Sequence, residues 1–261
     1  MSDRHRFQVD LTGRTALVTG ASSGIGAQFA RSLAKNGAAV VLGARRVDRL
    51  EALAAEIEAG GGRALPVALD VADEASTQAA YDAAEWAFGG VDTVIANAGI
   101  STGGSGLGLK VDDFDAMLAI NLRGVFLTAR EGARRMVAKL PPEQERGRVV
   151  LISSITAHRA WSGLSAYSAT KAAVAQLGRT LALEWAGKGV NVNVLCPGYI
   201  HTELTDSLWR SDKGKALLAS FPRRRVMELD VLDPLMLYLC SDLSRQVTGS
   251  VFDVDDGQTL G

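Results

Sequence analysis

The chain has 261 residues, 47% of them hydrophobic, and its 28 Lys and Arg side chains nearly balance 29 Asp and Glu, for a formal net charge of −1. This length suits one large α/β domain over residues 1–261, and the charge balance argues against nucleic acid or an anionic membrane as a partner. No apolar run approaches the ~18 residues that span a bilayer, and the polar N-terminus leads into no apolar signal core, so we expect a cytoplasmic protein.

Seven short apolar runs alternate with helical patterns along the chain. This alternation is typical of a doubly wound α/β fold with a parallel sheet and helices on both faces. In chain order, strands are predicted over 14–19, 39–43, 63–69, 91–96, 148–152, 190–195 and 250–254, with helices over about 27–36, 47–59, 74–88, 112–140, around 167–176, and 232–241.

The first strand runs directly into a glycine-rich turn, which is followed by a helix. The turn has the spacing Gly-x3-Gly-x-Gly, from Gly20 through Gly24 to Gly26, and not the Gly-x-Gly-x-x-Gly of the commonest dinucleotide fingerprint. Glycines allow a tight turn and close backbone approach, and a helix N-terminus presents unpaired N–H groups to an anion. Both a phosphate cradle and an ordinary βα turn fit this pattern.

The second strand ends at Ala44, followed by Arg45 and Arg46. In a dinucleotide-binding sheet the adenosine ribose lies at this position, where NAD binders usually place an acidic residue. Two arginines suit a 2′-phosphate instead, which favours NADP over NAD. The alternative is that both arginines belong to a solvated turn.

The third and fourth strands also end in residues that suit a cofactor. Asp70-Val71 follows the third strand, and the small residues Asn97-Ala98-Gly99 follow the fourth and permit close backbone approach. The long helix predicted over 112–140 carries Asn121 in its interior, which is mildly unfavourable and hints at a polar task.

The stretch from Ser154 to Lys171 contains the candidate proton-transfer residues. Tyr167 and Lys171 stand four residues apart on a predicted helix, so their side chains share one face. A free phenol titrates near pH 10, and a neighbouring ammonium should lower that pKa and make the tyrosine a useful proton donor or acceptor. Ser154 follows a buried strand, where its hydroxyl can face a cleft, although Tyr-x3-Lys alone is a common pair.

The remaining residues suggest a substrate pocket and no metal site. The segment 199–226 is irregular and resembles a lid over an apolar substrate, or a surface excursion that covers the core. His158 could add a polar contact or be a solvated loop residue. The cysteines Cys196 and Cys240 indicate buried free thiols, and no Cys/His cluster has zinc spacing, so no metal is predicted.

Over nearly its full length, the chain resembles the short-chain dehydrogenase/reductase family. The resemblance rests on residues in family order: Thr19-Gly20-x3-Gly24-Ile25-Gly26, Asn97-Ala98-Gly99, Asn121, Ser154, Tyr167-x3-Lys171 and Pro197-Gly198. It implies a Rossmann-type doubly wound, seven-stranded parallel sheet and hydride transfer between NAD(P) and an alcohol or carbonyl. This chain departs from the family where Ala96 precedes Asn97 and where Gln258 follows Asp256-Gly257.

The resemblance implies four catalytic residues. Tyr167 is the expected general acid or base, Lys171 lowers its pKa and holds the nicotinamide ribose, and Ser154 polarises the substrate carbonyl. Asn121 is expected to anchor a water chain from Lys171 to solvent. The expected cofactor-binding residues are Gly20, Ser22, Ser23, Gly24, Ile25, Gly26, Arg45, Arg46, Asp70, Val71, Asn97, Ala98, Gly99, Tyr167, Lys171, Pro197, Gly198, Ile200 and Thr202. The expected substrate pocket comprises Ser154, His158, Trp161, Tyr199, Leu204 and Trp209.

The sequence therefore predicts an NAD(P)-dependent oxidoreductase, with NADP favoured and NAD possible, that interconverts a secondary alcohol and a ketone. A catalytically silent dinucleotide sensor or scaffold, and an epimerase or dehydratase on the same fold, are the alternatives. The family resemblance suggests a homotetramer or dimer with paired long helices at the interface.

Overall fold

A seven-stranded parallel sheet forms the centre of the computed structural model, which describes residues 9–203 and 205–260. The strand order is β3-β2-β1-β4-β5-β6-β7, so the predicted doubly wound fold class is confirmed. The strands are β1 Thr15–Thr19, β2 Ala39–Ala44, β3 Arg63–Ala68, β4 Thr93–Ala96, β5 Gly147–Ile152, β6 Val190–Pro197 and β7 Val251–Val254.

Helices cover both faces of this sheet and bury their apolar sides against it. Phe29 and Leu33, one turn apart on α1, join the core on one face, and Tyr81 and Val174 join the core on the other. The helices are α1 Gly24–Lys35, α2 Val47–Ala59, α3 Glu74–Phe88, α4 Val111–Leu118, α5 Val125–Lys139, α6 Ser165–Trp185, α7 Asp206–Trp209, α8 Asp212–Ser220 and α9 Asp233–Cys240.

The inner strands are buried along their whole length, as continuous apolar runs predict for a parallel sheet covered on both faces. Along β1, Ala16 and Val18 pack into one core and Leu17 into the other, because successive side chains point to opposite faces. Since all strands are parallel, their carboxyl ends meet at one edge, and this edge holds the turns with the predicted cofactor residues.

The helix predicted over 112–140 is interrupted. A π-helical turn, Ala119–Gly124, separates α4 from α5 and contains Asn121. The Asn121 side chain is fully buried and bonds to the backbone of Ile100, a long-range contact that the local sequence pattern does not encode. Turns of this kind occur frequently at functional sites.

The segment predicted as an irregular lid over 199–226 contains the two short helices α7 and α8. A single parallel bridge between Ile200 and Met227 ties its two ends together. Leu204, which was predicted to line the substrate pocket, lies outside the described residues.

Both cysteines are free and fully buried, and burial raises the pKa of Cys196 and of Cys240 to about 12. Each is therefore a protonated thiol at neutral pH. Among the helices of the described ranges, we find none with the length and apolar character that crossing a membrane requires.

A glycine on α6 lets this helix pack closely on β6. A Cβ atom at Gly178 would lie 2.3 Å from Val194 Cγ2 and 3.4 Å from Leu151 Cδ1. We expect Gly178→Ala to lower the free energy of unfolding by about 1–2 kcal/mol, since overpacking outweighs the better helix propensity of alanine. Urea denaturation measures the change.

The matched control for this substitution is Gly187→Ala, because a Cβ at Gly187 meets no described atom within 4 Å. We expect the control to unfold at the same urea concentration as the parent or slightly higher. Equal stability of the Gly178 and Gly187 variants would contradict the close approach of α6 to β6.

Candidate active site

A cavity of about 800 Å³ lies along the carboxyl ends of the strands, and we call it the central cavity. It extends from the glycine turn after β1 to the segment that follows β6. Its wall includes most of the predicted site residues: Gly20, Ser22, Ser23, Gly24, Ile25, Arg45, Arg46, Asp70, Val71, Asn97, Ala98, Gly99, Ser154, Tyr167, Lys171, Pro197, Gly198, Tyr199, Ile200 and Thr202.

The glycine turn has the close packing that a phosphate cradle requires. Gly20 and Gly24 adopt φ values of +68° and +53°, which residues other than glycine rarely adopt. A Cβ at Gly26 would lie 2.4 Å from the carbonyl oxygen of Gly20, so Gly26 supports the turn from beneath and does not line the cavity. Helix α1 begins at Gly24, which brings its free N–H groups to the cavity wall.

The ends of β1 and β4 are fixed to each other beside this turn. The Thr19 hydroxyl oxygen accepts from the backbone N–H groups of Asn97 and Ala98, each at 3.0 Å, and the Asn97 amide donates to the Thr19 carbonyl at 2.9 Å. The two glycine-bearing loops are therefore held in direct contact, and a Cβ at Gly20 would lie only 2.9 Å from the Ala98 Cα.

The two arginines after β2 both lie at the cavity wall, where they are exposed. Arg46 donates to the Ser22 hydroxyl at 3.0 Å and to the Ser23 hydroxyl at 2.7 Å. Its guanidinium also lies 3.8 Å from the carboxylate of Glu203, which pairs more closely with Arg49 at 2.9 Å. This end of the cavity thus has two cations, with one carboxylate beside them.

Ser154 and Tyr167 face the cavity from β5 and α6. Ser154 follows β5, and its hydroxyl oxygen accepts from the Thr156 backbone N–H at 3.2 Å. Tyr167 lies in the first turn of α6, with its ring half-buried in the wall. Burial raises the pKa of Tyr167 to about 12, and the neighbouring Ser154 side chain opposes this rise.

Lys171 is buried one turn further along α6. Its ammonium lies 5.5 Å from the centre of the Tyr167 ring and donates to the carbonyl of Ile152 at 3.0 Å. Burial lowers the pKa of Lys171 to about 8. The structure thus differs from the expectation that Lys171 lowers the pKa of Tyr167, because burial disfavours both charged forms and raises the phenol's pKa.

Asn121 stands behind the cavity wall. Its side-chain oxygen accepts from the Ile100 backbone N–H, and its amide donates to the Ile100 carbonyl, both at 2.8 Å. A Cβ at Gly99 would lie 3.4 Å from the Asn121 oxygen and 3.5 Å from the Lys171 ammonium. Asn121 therefore fixes the loop after β4 and lies near Lys171 across Gly99.

Three residues that the sequence assigned to the substrate pocket lie outside the cavity wall. Trp161 and Trp209 contact the ring of Tyr199 edge to face, with centroid distances of 6.1 Å and 5.5 Å, so they support Tyr199 from outside. His158 turns away and pairs with Asp253 at 3.0 Å. Apolar character alone indicated these aromatics and could not tell a lining residue from a supporting one.

Several residues that the sequence analysis did not single out complete the site. Ile155 and Leu164 line the cavity beside Ser154 and Tyr167, and Leu208 lines it from α7. Gln258 holds Tyr199, because its side-chain oxygen accepts from the Tyr199 backbone N–H at 2.7 Å. The only signal in the sequence was the departure of Gln258 from the family's usual glycine.

Comparison with known proteins agrees with this geometry. A family model described as short chain dehydrogenase matches residues 14–213. The chain belongs to the short-chain dehydrogenase/reductase family. As a member of that family it is an NAD(P)-dependent oxidoreductase that acts on CH–OH groups.

Among its relatives, this short-chain dehydrogenase is 36% identical to a D-threitol dehydrogenase from Mycolicibacterium smegmatis, with 97% of this chain and 96% of the other covered. A solved gluconate 5-dehydrogenase from Burkholderia cenocepacia, in complex with NADP and tartrate, has a TM-score of 0.90 at 34% identity and 97% coverage of both chains. A putative 2-deoxy-D-gluconate 3-dehydrogenase from Agrobacterium tumefaciens with bound NADP has a TM-score of 0.87 at 33% identity, covering 98% of this chain and all of the other.

Proposed function

We propose that this enzyme interconverts a ketone and a secondary alcohol, uses NADP in preference to NAD, and employs Tyr167 as its general acid and base. The observation that carries the proposal is the shared cavity. Ser154, Tyr167 and Lys171 occupy one part of its wall, while the glycine turn, Arg45 and Arg46 occupy another.

The residues of the central cavity fit a dinucleotide. The glycine turn and the start of α1 would hold the pyrophosphate, and Arg45 and Arg46 the 2′-phosphate. Asp70 and Val71 would lie at the adenine. Pro197, Gly198, Ile200 and Thr202 would enclose the nicotinamide opposite the loop after β4, together with Lys171 at its ribose. When bound, the nicotinamide ring supplies or accepts the hydride.

In ketone reduction, the Ser154 hydroxyl donates a hydrogen bond to the substrate oxygen and Tyr167 donates the proton to it. A pKa of about 12 keeps Tyr167 protonated at neutral pH, which is the form that a proton donor needs. Lys171, with its pKa lowered to about 8, can then return a proton. Asn121 would anchor the water chain that leads from Lys171 to solvent.

The substrate end of the cavity favours a medium-sized molecule with an apolar part. Ile155, Leu164, Tyr199 and Leu208 provide mainly apolar surface there. The segment 199–226 would act as the substrate loop of a single domain. The relatives above are named for D-threitol, gluconate and 2-deoxy-D-gluconate, so a compound with several hydroxyl groups belongs in any screen.

Two further predictions concern the whole protein. Val137 and Leu183 present exposed apolar side chains on α5 and α6, which supports the proposed homotetramer or dimer with paired long helices. Light scattering after size-exclusion chromatography measures the assembly. The location of the protein in the cytoplasm stays a prediction.

A screen of ketones and secondary alcohols with NADPH, NADH and their oxidised forms tests the function. We expect a change in nicotinamide absorbance with at least one substrate and a larger kcat/KM with the phosphorylated cofactor. No change with any compound at high protein concentration would favour a silent sensor. Cofactor that co-purifies and never turns over would instead indicate an epimerase or dehydratase.

The arginine pair provides a sharper test of cofactor choice. Replacing Arg45 and Arg46 together by Ala should weaken NADPH binding roughly 10- to 100-fold and leave NADH nearly unchanged, because charge-assisted hydrogen bonds to the 2′-phosphate are lost. Glu203→Gln should tighten NADPH binding by roughly threefold, since it removes a carboxylate 3.8 Å from Arg46. Isothermal titration measures all the affinities.

The control for these variants is Arg31→Ala, which removes an exposed arginine that pairs with Glu56 on a helix surface outside the cavity. It should bind both cofactors as the parent does. An equal loss of NADPH and NADH affinity in the double variant would contradict the assignment of the 2′-phosphate to these arginines.

A further inference from the structure

Three side chains with metal-binding atoms converge outside the central cavity. The Nε2 atom of His158, the Sγ atom of Cys196 and a carboxylate oxygen of Asp253 all lie within 4.8 Å of one another, and the His158–Asp253 distance is 3.0 Å. None of the three lines the central cavity. The catalytic proposal therefore leaves them without a role.

The sheet itself brings two of these residues together. Cys196 on β6 and Asp253 on β7 are direct register partners in a parallel pair, so their side chains point to the same face. His158 reaches them from the loop after β5, immediately behind the helical turn Ile155–Ala157. The cluster depends on strand register, and no local sequence spacing reveals it.

The loop that carries His158 is held in place. The backbone N–H groups of His158 and Arg159 both donate to the Ile155 carbonyl at 3.1 Å. The Arg159 guanidinium donates to the carbonyl of Gln258 at 3.2 Å. The imidazole is thus directed toward β7 before any ligand binds, which reduces the entropy that binding would cost.

The cluster has one buried ligand and two accessible ones. Cys196 is fully buried, whereas the side chains of His158 and Asp253 are 35% and 41% exposed. The imidazole and the carboxylate are therefore open to solvent, and the sulfur lies beneath them.

We propose that His158, Cys196 and Asp253 form a mononuclear zinc site with an open coordination position for water. Zinc accepts nitrogen, sulfur and oxygen ligands in one tetrahedral site, while calcium and magnesium prefer oxygen alone. As the zinc–sulfur bond forms, the thiol proton passes to solvent, because a coordinated thiol is deprotonated. No oxidation or reduction takes place. None of its three residues lines the central cavity or takes part in the proposed reaction.

Cobalt(II) is the probe that tests the site, because a cobalt–thiolate bond gives a near-ultraviolet charge-transfer band that carboxylate and imidazole alone do not. The full chain without added histidines should develop this band and saturate at one equivalent, and zinc should bleach it. Bound zinc should also raise the thermal unfolding midpoint, since only the folded sheet brings Cys196 and Asp253 together and zinc binds that state more tightly.

Single substitutions assign the ligands. Cys196→Ser should abolish the charge-transfer band, while His158→Ala and Asp253→Asn should each weaken cobalt binding at least roughly tenfold, which corresponds to about 1.4 kcal/mol. His201→Ala and Cys240→Ser are the matched controls, because they remove the other described histidine and the other cysteine. Both controls should bind cobalt as the parent does.

Three results would overturn the proposal: no thiolate band in the parent, a band that survives in Cys196→Ser, or equal loss in Cys240→Ser. If Cys196→Ser does not fold, as judged by circular dichroism, the cobalt affinity of His158→Ala, a substitution at a half-exposed position, tests whether the cluster binds metal. Unchanged cobalt affinity in that variant would show that His158 and Asp253 form only an ion pair and do not bind the metal.

Discussion

Replacing Tyr167 by Phe is expected to lower kcat by roughly 10²–10⁴-fold, the range in which a positioned proton donor contributes to catalysis. The cofactor dissociation constant should change little, because Phe keeps the ring that lies 5.5 Å from the Lys171 ammonium. Steady-state kinetics of ketone reduction and fluorescence titration with NADPH measure the two quantities separately.

The control for this substitution is Tyr199→Phe, which removes the hydroxyl of another tyrosine in the same wall. Tyr199 is held by aromatic contacts and by backbone hydrogen bonds to Gln258, so loss of its hydroxyl should leave kcat within about threefold of the parent. Turnover that survives in the Tyr167 variant would refute the proton-transfer role and, with it, the proposed mechanism.

Replacing Lys171 by Met is expected to lower kcat/KM by about 10²-fold or more, since the buried ammonium beside the Tyr167 ring is lost. Met keeps a similar apolar length and removes the cost of burying a charge, so the variant should fold. Steady-state kinetics with NADPH measure the loss, and Lys188→Met, at an exposed lysine, is the control.

The depressed pKa of Lys171 also predicts a pH dependence. Between about pH 8 and its ordinary value of 10.5, the unfolded chain holds a proton that the folded chain has released. The contribution of Lys171 to the free energy of unfolding therefore rises with pH through this window, and Lys171→Met should remove the rise.

Ketone reduction by the parent enzyme should in turn decline as pH rises through about 8, because Lys171 loses the proton that, in the proposed mechanism, it returns to Tyr167. Rates measured from pH 6 to 10 at saturating NADPH test this. A profile that is the same in the parent and in Lys171→Met would contradict the assigned role.

The sheet could be predicted from the sequence because strands buried on both faces are continuous apolar runs, as in Val149 to Ile152. The glycine turn and the Tyr167–Lys171 pair were also apparent, since both depend on residues close together in the chain. Their signals need only the local geometry of a turn and of a helix.

Other parts of the site depend on contacts that sequence spacing does not encode. The π-helical turn around Asn121 forms where that side chain bonds to Ile100, 21 residues earlier in the chain. Trp161 and Trp209 proved to support Tyr199 from outside, because the loop after β5 and the segment after β6 each bring one tryptophan to this ring. The pKa of Tyr167 depends on burial, which the spacing to Lys171 could not reveal.

The hold of Gln258 on Tyr199 ties the segment after β7 to the wall of the central cavity. The Gln258 side-chain oxygen accepts from the Tyr199 backbone N–H at 2.7 Å, and the Gln258 amide nitrogen donates to the Tyr199 carbonyl at 3.3 Å. The same side chain fills the space beside Gly198. We therefore expect substitutions at Gln258 to shift Tyr199 within the cavity wall while Tyr167 stays in place.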